Sequence, residues 1–296
     1  GLTTSAVLRR SERKEPAGQE ARLVQCGFYD LIHMCGIAGY SLSSASEIDR
    51  TLAAQTLLAA IDERGADAVG YAYRPPAGAF NVYKQRSGAS ELLERISVPD
   101  EATQVLIHVR DYTKGHPRIA GNNHPVRHGA VIGVHNGIIL NDEEIFSRHG
   151  LERQEPEMTV DTEAIFALVN EYGLSRDAFE ELTGSMATAW FDERLHDTLF
   201  IARGVGRPLW LGEGKHEAFF ASTKDALEVT ERYLGLKLKK RELPEGIVVA
   251  LENGKRGPVT RFKPDRAFEE ESLPAVRAPH EGATCLRRLA LIAASL

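Results

Sequence analysis

The stretch Met34-Cys35-Gly36-Ile37-Ala38-Gly39 decides how the rest of this sequence is interpreted. It starts at the first methionine of the chain and continues from a cysteine into small and apolar residues, which predicts a short strand. A cysteine in a strand is ordinarily a small buried hydrophobic residue. If Met34 is removed, however, Cys35 becomes N-terminal, and an α-amine with a pKa of about 8 can accept the proton of its thiol. The stretch therefore predicts a nucleophile and its base within one residue.

Composition excludes several classes of protein. The 296 residues are 43% hydrophobic and 26% charged, and the formal net charge is −6. This balance lacks the broad basic surface of a duplex-binding protein, and no apolar run reaches the ~18 residues of a membrane span. Cys26, Cys35 and Cys285 are too few for a disulfide framework, which favours a reducing compartment. We therefore expect a cytoplasmic protein with neither nucleic-acid nor membrane partners.

The hydrophobic pattern divides the chain into a leader, one domain and a tail. Residues 1–34 lack the apolar core of about 7–15 residues that a secretory signal needs, so we expect a leader or propeptide absent from the mature protein. Translation from Met34 or cleavage after it would free the amine of Cys35, whereas a retained leader would block it.

Strands and helices occur in groups over residues 35–262, for example a predicted strand at Glu217–Ala221 followed by a predicted helix at Lys224–Leu234. This grouping favours a layered α+β domain. Residues 263–296 are charged, then proline-rich, then apolar without an evident partner, which predicts a linker-like tail.

Five further motifs follow this stretch in the sequence. They are Arg64-Gly-Ala-Asp67 with Gly70, His108-Val-Arg110 with Thr113 and Gly115, Asn123-His-Pro125, His135-Asn-Gly-Ile-Ile139 with Asn141, and Asp161-Thr-Glu163. Together with residues 34–39, and in this order, they resemble the class II glutamine amidotransferases, which are N-terminal-nucleophile hydrolases. The motif sequences are nearest to those of the glutaminase domain of glucosamine-6-phosphate synthase. The resemblance covers about residues 35–250 and implies a four-layer αββα sandwich that needs no metal or cofactor.

The resemblance also implies catalytic roles. Cys35 would attack the side-chain amide carbon of L-glutamine, while the Asn136 side-chain amide and the Gly137 N–H form the oxyanion hole. Arg64 and Gly65 would position the N-terminus of Cys35. The products would be L-glutamate and ammonia, and a separate synthase subunit is the expected ammonia acceptor. Residues 35–262 would then form a glutamine amidotransferase type 2 domain.

Substrate binding is assigned to three side chains. Arg110 offers a planar fork that suits the α-carboxylate of glutamine, although an arginine at the end of a strand also suits a surface ion pair. Asp161 would hold the α-ammonium, and Thr113 would make a further polar contact. Two residues depart from the synthase pattern, because Asp111 replaces an aromatic residue and Lys114 replaces a histidine. We expect the negative charge of Asp111 beside Arg110 to affect substrate affinity more than the chemistry.

Structural interpretations exist for the same residues. Asn136-Gly137 between two apolar runs is typical of a hairpin turn. Asp161 precedes a predicted helix and suits an N-cap, and Arg64 with Gly65 suits the end of another helix.

Other chemistries fit less well. His124, His128 and His135 could suggest zinc, but they lie in a Pro/Gly-rich loop without a carboxylate at matching spacing. Cys35, His135 and Asp161 could form a thiol-protease triad, which leaves Arg110 unexplained. For the whole chain, three hypotheses stand: a stand-alone glutaminase, a truncated piece of a two-domain amidotransferase, and a non-catalytic glutamine-sensing or interaction module of the same fold.

Overall fold

Two antiparallel sheets stacked face to face form the centre of the fold. The computed structural model describes residues 35–75, 79–267 and 276–295, so the predicted leader lies outside the described residues. The strands are β1 (Gly36–Leu42), β2 (Ala68–Arg74), β3 (Asn81–Gln85), β4 (Gln104–Arg110), β5 (Val126–His128), β6 (Val131–Ile139), β7 (Gly184–Asp192), β8 (Thr198–Arg203), β9 (Trp210–Glu213), β10 (Glu217–Ala221), β11 (Lys239–Glu242), β12 (Ile247–Glu252) and β13 (Lys255–Arg261).

Seven helices cover the outer faces of these sheets within the described ranges. They are α1 (Arg50–Ile61), α2 (Ala89–Leu92), α3 (Asp142–His149), α4 (Glu163–Tyr172), α5 (Arg176–Glu180), α6 (Lys224–Leu234) and α7 (Pro279–Ala294). Helix α6 has the bounds that its apolar spacing predicts. The Thr223 side chain caps its first turn, and Gly235 ends it in the left-handed region at φ 63°.

The first sheet has the strand order β11-β9-β10-β1-β4-β2-β3, and the second has the order β13-β12-β8-β7-β6-β5. Strand β1 shows how the layers form, because Ile37 points into the core between the sheets while Tyr40 and Leu42 point toward the helices. Helices α1, α6 and α7 pack on the first sheet, and α3, α4 and α5 pack beside the second. The predicted four-layer αββα sandwich is confirmed.

Two sequence-based expectations were wrong. Asn136 and Gly137 do not form a hairpin turn, since β6 runs unbroken from Val131 to Ile139 and pairs with β7 along that whole length. The apolar stretch at the end of the chain is not a linker, because α7 packs against α1 and buries Cys285 and Leu289 completely. Local patterns missed both features because each depends on a partner far away in sequence. No helix among the described residues has the length and apolar character needed to cross a membrane.

Candidate active site

A small open cavity lies where the ends of β1, β4 and β6 approach the segment before α4. Strands β1 and β4 of the first sheet face β6 of the second here, so residues far apart in sequence converge. The predicted site residues that line the cavity are Cys35, Arg110, Thr113, Gly137 and Asp161. The other three lie directly beside residues of this lining.

Cys35 lies at the base of β1 with its thiol against the backbone of Asp111. Its Sγ is 3.3 Å from the carbonyl oxygen of Asp111 and 3.4 Å from the Asp111 nitrogen, whose N–H donates to the sulfur. Burial raises the pKa of the Cys35 thiol to about 11, and the nearby Arg110 charge only partly opposes this shift. At neutral pH the sulfur therefore holds its proton, and it needs a base before it can act as a nucleophile.

Arg64 and Gly65 lie directly behind Cys35. The Nε–H of Arg64 donates to the carbonyl oxygen of Cys35 over 3.3 Å. A Cβ on Gly65 would lie 2.4 Å from the carbonyl oxygen of Arg110, so only glycine lets these two backbones approach so closely. Both residues are placed where they can fix the backbone that carries the thiol.

Arg110 is buried and uses much of its guanidinium within the fold. Its Nη1 donates to Oδ1 of Asn123 over 2.6 Å, and its Nη2 donates to the carbonyl oxygens of Lys114, at 2.9 Å, and Gly115. These three bonds hold the loop after β4 and leave two of the five guanidinium N–H groups for a ligand carboxylate. The interpretation of Arg110 as a surface ion pair was wrong.

Asp161 is buried opposite Arg110, in the segment that leads into α4. One carboxylate oxygen accepts the N–H of Ile139 at 2.7 Å, so the side chain bonds β6 instead of capping α4. Burial raises the pKa of Asp161 to about 6, and the nearby Asp142 charge adds to the shift while Lys114 opposes it. Nζ of Lys114 lies 2.6 Å from a carboxylate oxygen of Asp142. The lysine that replaces the expected histidine is thus tied to α3.

The pairing of β6 with β7 directs the backbone of Gly137 into the cavity. Met186 lies opposite Gly137, yet its N–H donates to Val205 over 3.0 Å and its carbonyl oxygen accepts from Gly204 over 2.8 Å. Gly137 and Met186 are therefore a non-hydrogen-bonded pair, and the polar groups of Gly137 point away from β7. Its φ of 144° is one that only glycine adopts readily, and a Cβ there would lie 2.0 Å from the carbonyl oxygen of Ser185.

Asn136 carries an unsatisfied buried amide. Its side chain is fully buried, yet neither Nδ2 nor Oδ1 has a hydrogen-bond partner within the described part of the chain. An amide left without partners costs free energy, so a ligand, an ordered water or a catalytic role would account for it. It lies one residue before Gly137, on the strand that lines the cavity.

A chain of hydrogen bonds behind the cavity joins three histidines. His135 Nε2 lies 3.2 Å from the carbonyl oxygen of Ser185 and must donate to it, while burial lowers the pKa of His135 to about 3. Nδ1 of His135 is then an acceptor for the Thr162 hydroxyl, at 3.0 Å. The Thr162 oxygen in turn accepts from Nε2 of His124, also at 3.0 Å, and His108 donates to the carbonyl oxygen of His135.

The hydrogen bonds of these histidines bear on the two alternative chemistries, the thiol-protease triad and the zinc site. Both ring nitrogens of His135 are engaged by Thr162 and Ser185, so the ring does not serve as the base of a Cys35 triad. His128 instead contacts Glu163, and among the described residues no three His, Cys, Asp or Glu side chains converge as metal ligands would. Sequence reasoning gave no role to Thr162, although its place inside the Asp161-Thr-Glu163 motif was a usable signal.

Comparison with known proteins gives a consistent family. A family profile described as "Glutamine amidotransferase domain" matches residues 116–229. Glutamine–fructose-6-phosphate aminotransferase (isomerizing) of Bacillus subtilis is 30% identical over 262 residues, which are 83% of this chain and 42% of the relative. The Caulobacter vibrioides enzyme of the same name is 34% identical over 236 residues, or 75% of this chain and 36% of the relative.

A solved structure of glutamine phosphoribosylpyrophosphate amidotransferase from B. subtilis has the same fold. It superposes with a TM-score of 0.61 at 18% sequence identity, covering 77% of this chain and 49% of that structure. The profile match and these relatives identify a glutamine amidotransferase domain of the class II, N-terminal-nucleophile type. The chain is similar in sequence to the glutaminase portion of the fructose-6-phosphate aminotransferases and spans about two fifths of their length.

Proposed function

We propose that the cavity hydrolyses L-glutamine to L-glutamate and ammonia, with Cys35 as the nucleophile. The observation that carries the proposal is the unpartnered Asn136 amide, which lies one residue before Gly137 on β6. Gly137 and Cys35 line the same cavity, so the thiol would be the nucleophile and Asn136 and Gly137 the oxyanion donors. Arg110 and Asp161 provide opposite charges suited to the α-carboxylate and α-ammonium of an amino acid.

The reaction would proceed in two steps. The thiol proton passes to a free α-amine of Cys35, and the sulfur attacks the side-chain amide carbon of glutamine. Asn136 Nδ2 and the Gly137 N–H stabilise the oxyanion, and as the C–N bond breaks ammonia leaves with the transferred proton. Water then hydrolyses the γ-glutamyl thioester through a second oxyanion and releases glutamate.

The base in this scheme requires a free N-terminus at Cys35. Because burial holds the pKa of the thiol at about 11, a chain that still carried residues 1–34 would have little thiolate and no amine at this position. We therefore propose that the working domain begins at Cys35, after removal of the residues before it.

The names of the relatives suggest what could receive the ammonia. The aligned relatives are named as fructose-6-phosphate aminotransferases, and this chain spans only the glutaminase-sized portion of them. We propose that a synthase domain or separate subunit receives the ammonia.

The test is glutamine-dependent ammonia release by protein whose N-terminal residue is verified as Cys35 by mass spectrometry. We expect Cys35→Ala to abolish release, and Cys35→Ser to leave only a small fraction of it. Unaltered release by Cys35→Ala, or none by wild-type protein with the verified terminus, would contradict the proposal.

The second candidate is a glutamine sensor of the same fold, and Asp111 and Lys114 favour it because both depart from the synthase pattern beside the substrate groups. Calorimetry separates the two functions. Tight glutamine binding to the verified protein without ammonia release would select the sensor.

A further inference from the structure

The nucleophile is held by two short backbone segments that come from different parts of the fold. The N–H and carbonyl oxygen of Asp111 both contact the Cys35 sulfur, at 3.4 and 3.3 Å. The second segment is the turn after α1, where Arg64 donates to the carbonyl oxygen of Cys35. The position of the thiol therefore depends on how firmly each segment is fixed.

The segment before α7 contacts both of them. Nε of Arg277 lies 3.1 Å from Oδ2 of Asp111 and forms an ion pair with it. The backbone N–H groups of Arg277 and Ala278 both donate to the carbonyl oxygen of Glu63 at 3.0 Å, one residue before Arg64. The segment before α7 therefore connects the two backbone segments that contact Cys35.

Helix α7 anchors this segment independently of the active site. Glu281 accepts the N–H of Ser90 at 2.8 Å and the Ser90 hydroxyl at 3.1 Å, which ties the first turn of α7 to α2. Arg288 donates to the Ser90 carbonyl oxygen, and Leu289 is fully buried. These contacts fix the position of α7, and therefore also that of Arg277 just before it.

The ion pair also accounts for the acidic residue beside Arg110. The Asp111 side chain is only 10% exposed, and burial raises the pKa of its carboxyl while the Arg277 charge lowers it. A lone carboxylate at this place would weaken the attraction of Arg110 for a ligand carboxylate. Arg277 neutralises it and at the same time fixes the backbone that contacts the thiol.

We propose that Arg277 is a positioning residue of the active site: through Asp111 it holds the Cys35 thiol and offsets the negative charge beside Arg110. The proposal rests on the proposed glutaminase function. Arg277 does not touch the substrate and acts only through Asp111.

The test compares Arg277→Ala with Arg288→Ala in the glutamine-hydrolysing form of the full protein. Arg288→Ala loosens α7 at its Ser90 contact but leaves the Asp111 pair intact. We expect Arg277→Ala to lower kcat by about tenfold, less than the ~10²-fold cost of a 1 Å misplacement, and to raise KM for glutamine. Arg288→Ala should change neither value by more than about twofold. Equal losses in the two variants, or no loss in Arg277→Ala, would overturn the proposal.

Two further measurements separate a positioning role from general stability. Arg277→Lys should retain most activity because a lysine can still pair with Asp111, and the exchange of Asp111→Arg with Arg277→Asp should recover more activity than Asp111→Arg alone. The rate at which iodoacetamide alkylates Cys35, read by mass spectrometry, should rise in Arg277→Ala and stay unchanged in Arg288→Ala. This readout needs no turnover, so it tests the Asp111–Arg277 ion pair even if wild-type protein fails to hydrolyse glutamine. Failure of the wild type to hydrolyse glutamine would count against the proposed function alone. An unchanged alkylation rate in Arg277→Ala would show that the ion pair does not hold the thiol.

Discussion

The hydroxyl oxygen of Thr162 lies 3.0 Å from Nδ1 of His135, and this contact fixes which nitrogen of the buried ring carries the proton. His135 must donate from Nε2 to Ser185, so its Nδ1 accepts from the threonine. The same threonine oxygen accepts from His124. One hydroxyl therefore bonds two buried rings, and one of these rings is the neighbour of Asn136 on β6.

Replacement of this hydroxyl should destabilise the fold. We expect Thr162→Val to lower the free energy of unfolding by about 1–3 kcal/mol, because a buried ring acceptor and a ring donor both lose their partner. Thr162→Ser keeps the hydroxyl and is the matched control. Urea denaturation measures both, and equal stability of the valine and serine variants would refute the role given to the hydroxyl.

The amide of Asn136 should matter for turnover and not for folding. We expect Asn136→Ala to lower kcat for glutamine by about 10²–10³-fold with little change in KM, because the donor acts on the oxyanion. Its melting temperature should stay close to that of the wild type, because the gain from removing an unpartnered buried amide offsets the cost of the small cavity that alanine leaves. Steady-state kinetics and thermal denaturation measure these effects.

Asn141 is the matched control, because both polar atoms of its side chain have hydrogen-bond partners. Its Nδ2 donates to the carbonyl oxygen of Glu181 over 2.8 Å, and its Oδ1 accepts the N–H of Thr183 at 2.9 Å. We expect Asn141→Ala to cost about 1–3 kcal/mol of stability and to retain kcat. If Asn136→Ala destabilised the protein as Asn141→Ala does while keeping its kcat, the oxyanion role would be wrong.

The pH dependence of glutamine binding should follow Asp161. Its pKa of about 6 means that the carboxyl gains a proton as the pH falls through 6 and then no longer attracts an ammonium group. We expect kcat/KM to fall on the acid side with an apparent pKa of about 6. Asp161→Asn should bind glutamine weakly and lose this acid limb, which a pH series of initial rates would reveal. An acid limb that persisted in Asp161→Asn would belong to another group.

Asp62, under α7, should make the protein less stable as the pH rises. Burial raises its pKa to about 7 in the fold, against about 3.9 in the unfolded chain, and its hydrogen bond with Cys285 only partly offsets this shift. Between pH 4 and 7 the folded state keeps a proton that the unfolded state has lost, so the free energy of unfolding decreases across this window.

Asp62→Asn imitates the protonated acid and should remove this dependence. We expect the variant to be more stable than the wild type by about 2 kcal/mol at pH 8, with the difference shrinking toward pH 4. Urea denaturation at several pH values measures it, with Asp225→Asn on the exposed start of α6 as the control. A constant difference between variant and wild type at all pH values would rule out titration of Asp62 as the cause.

Much of the architecture was readable from the sequence because local patterns decide it. The spacing of apolar residues predicted α6 from Lys224 to Leu234, and the strand at Glu217–Ala221 has the predicted bounds. Strand β11 was missed because Lys239–Glu242 is charged throughout and forms only by pairing with β9 at the edge of the sheet.

Site residues that belong to a sequence motif could be predicted from the sequence. Residues whose role depends on a tertiary contact could not. The placement of Cys35 and Asp161 around one cavity agrees with the sequence-based expectation, while their catalytic and binding roles stay predictions. The pair between Asp111 and Arg277 had no local signal, because the two residues meet only after α7 has packed on α1. Asn136 was ambiguous for a similar reason, since only the pairing with β7 converts a turn-like dipeptide into continuous strand.

The unsatisfied amide of Asn136 lowers the stability of the fold, yet the proposed reaction requires it. An apolar residue of similar size at this position would remove a buried polar group that bonds to nothing in the described fold, and the domain would become harder to unfold. The same exchange would remove a donor reserved for the reacting oxygen. A selection for stability alone should therefore replace Asn136, and the selected variants would be more stable but would have a lower kcat.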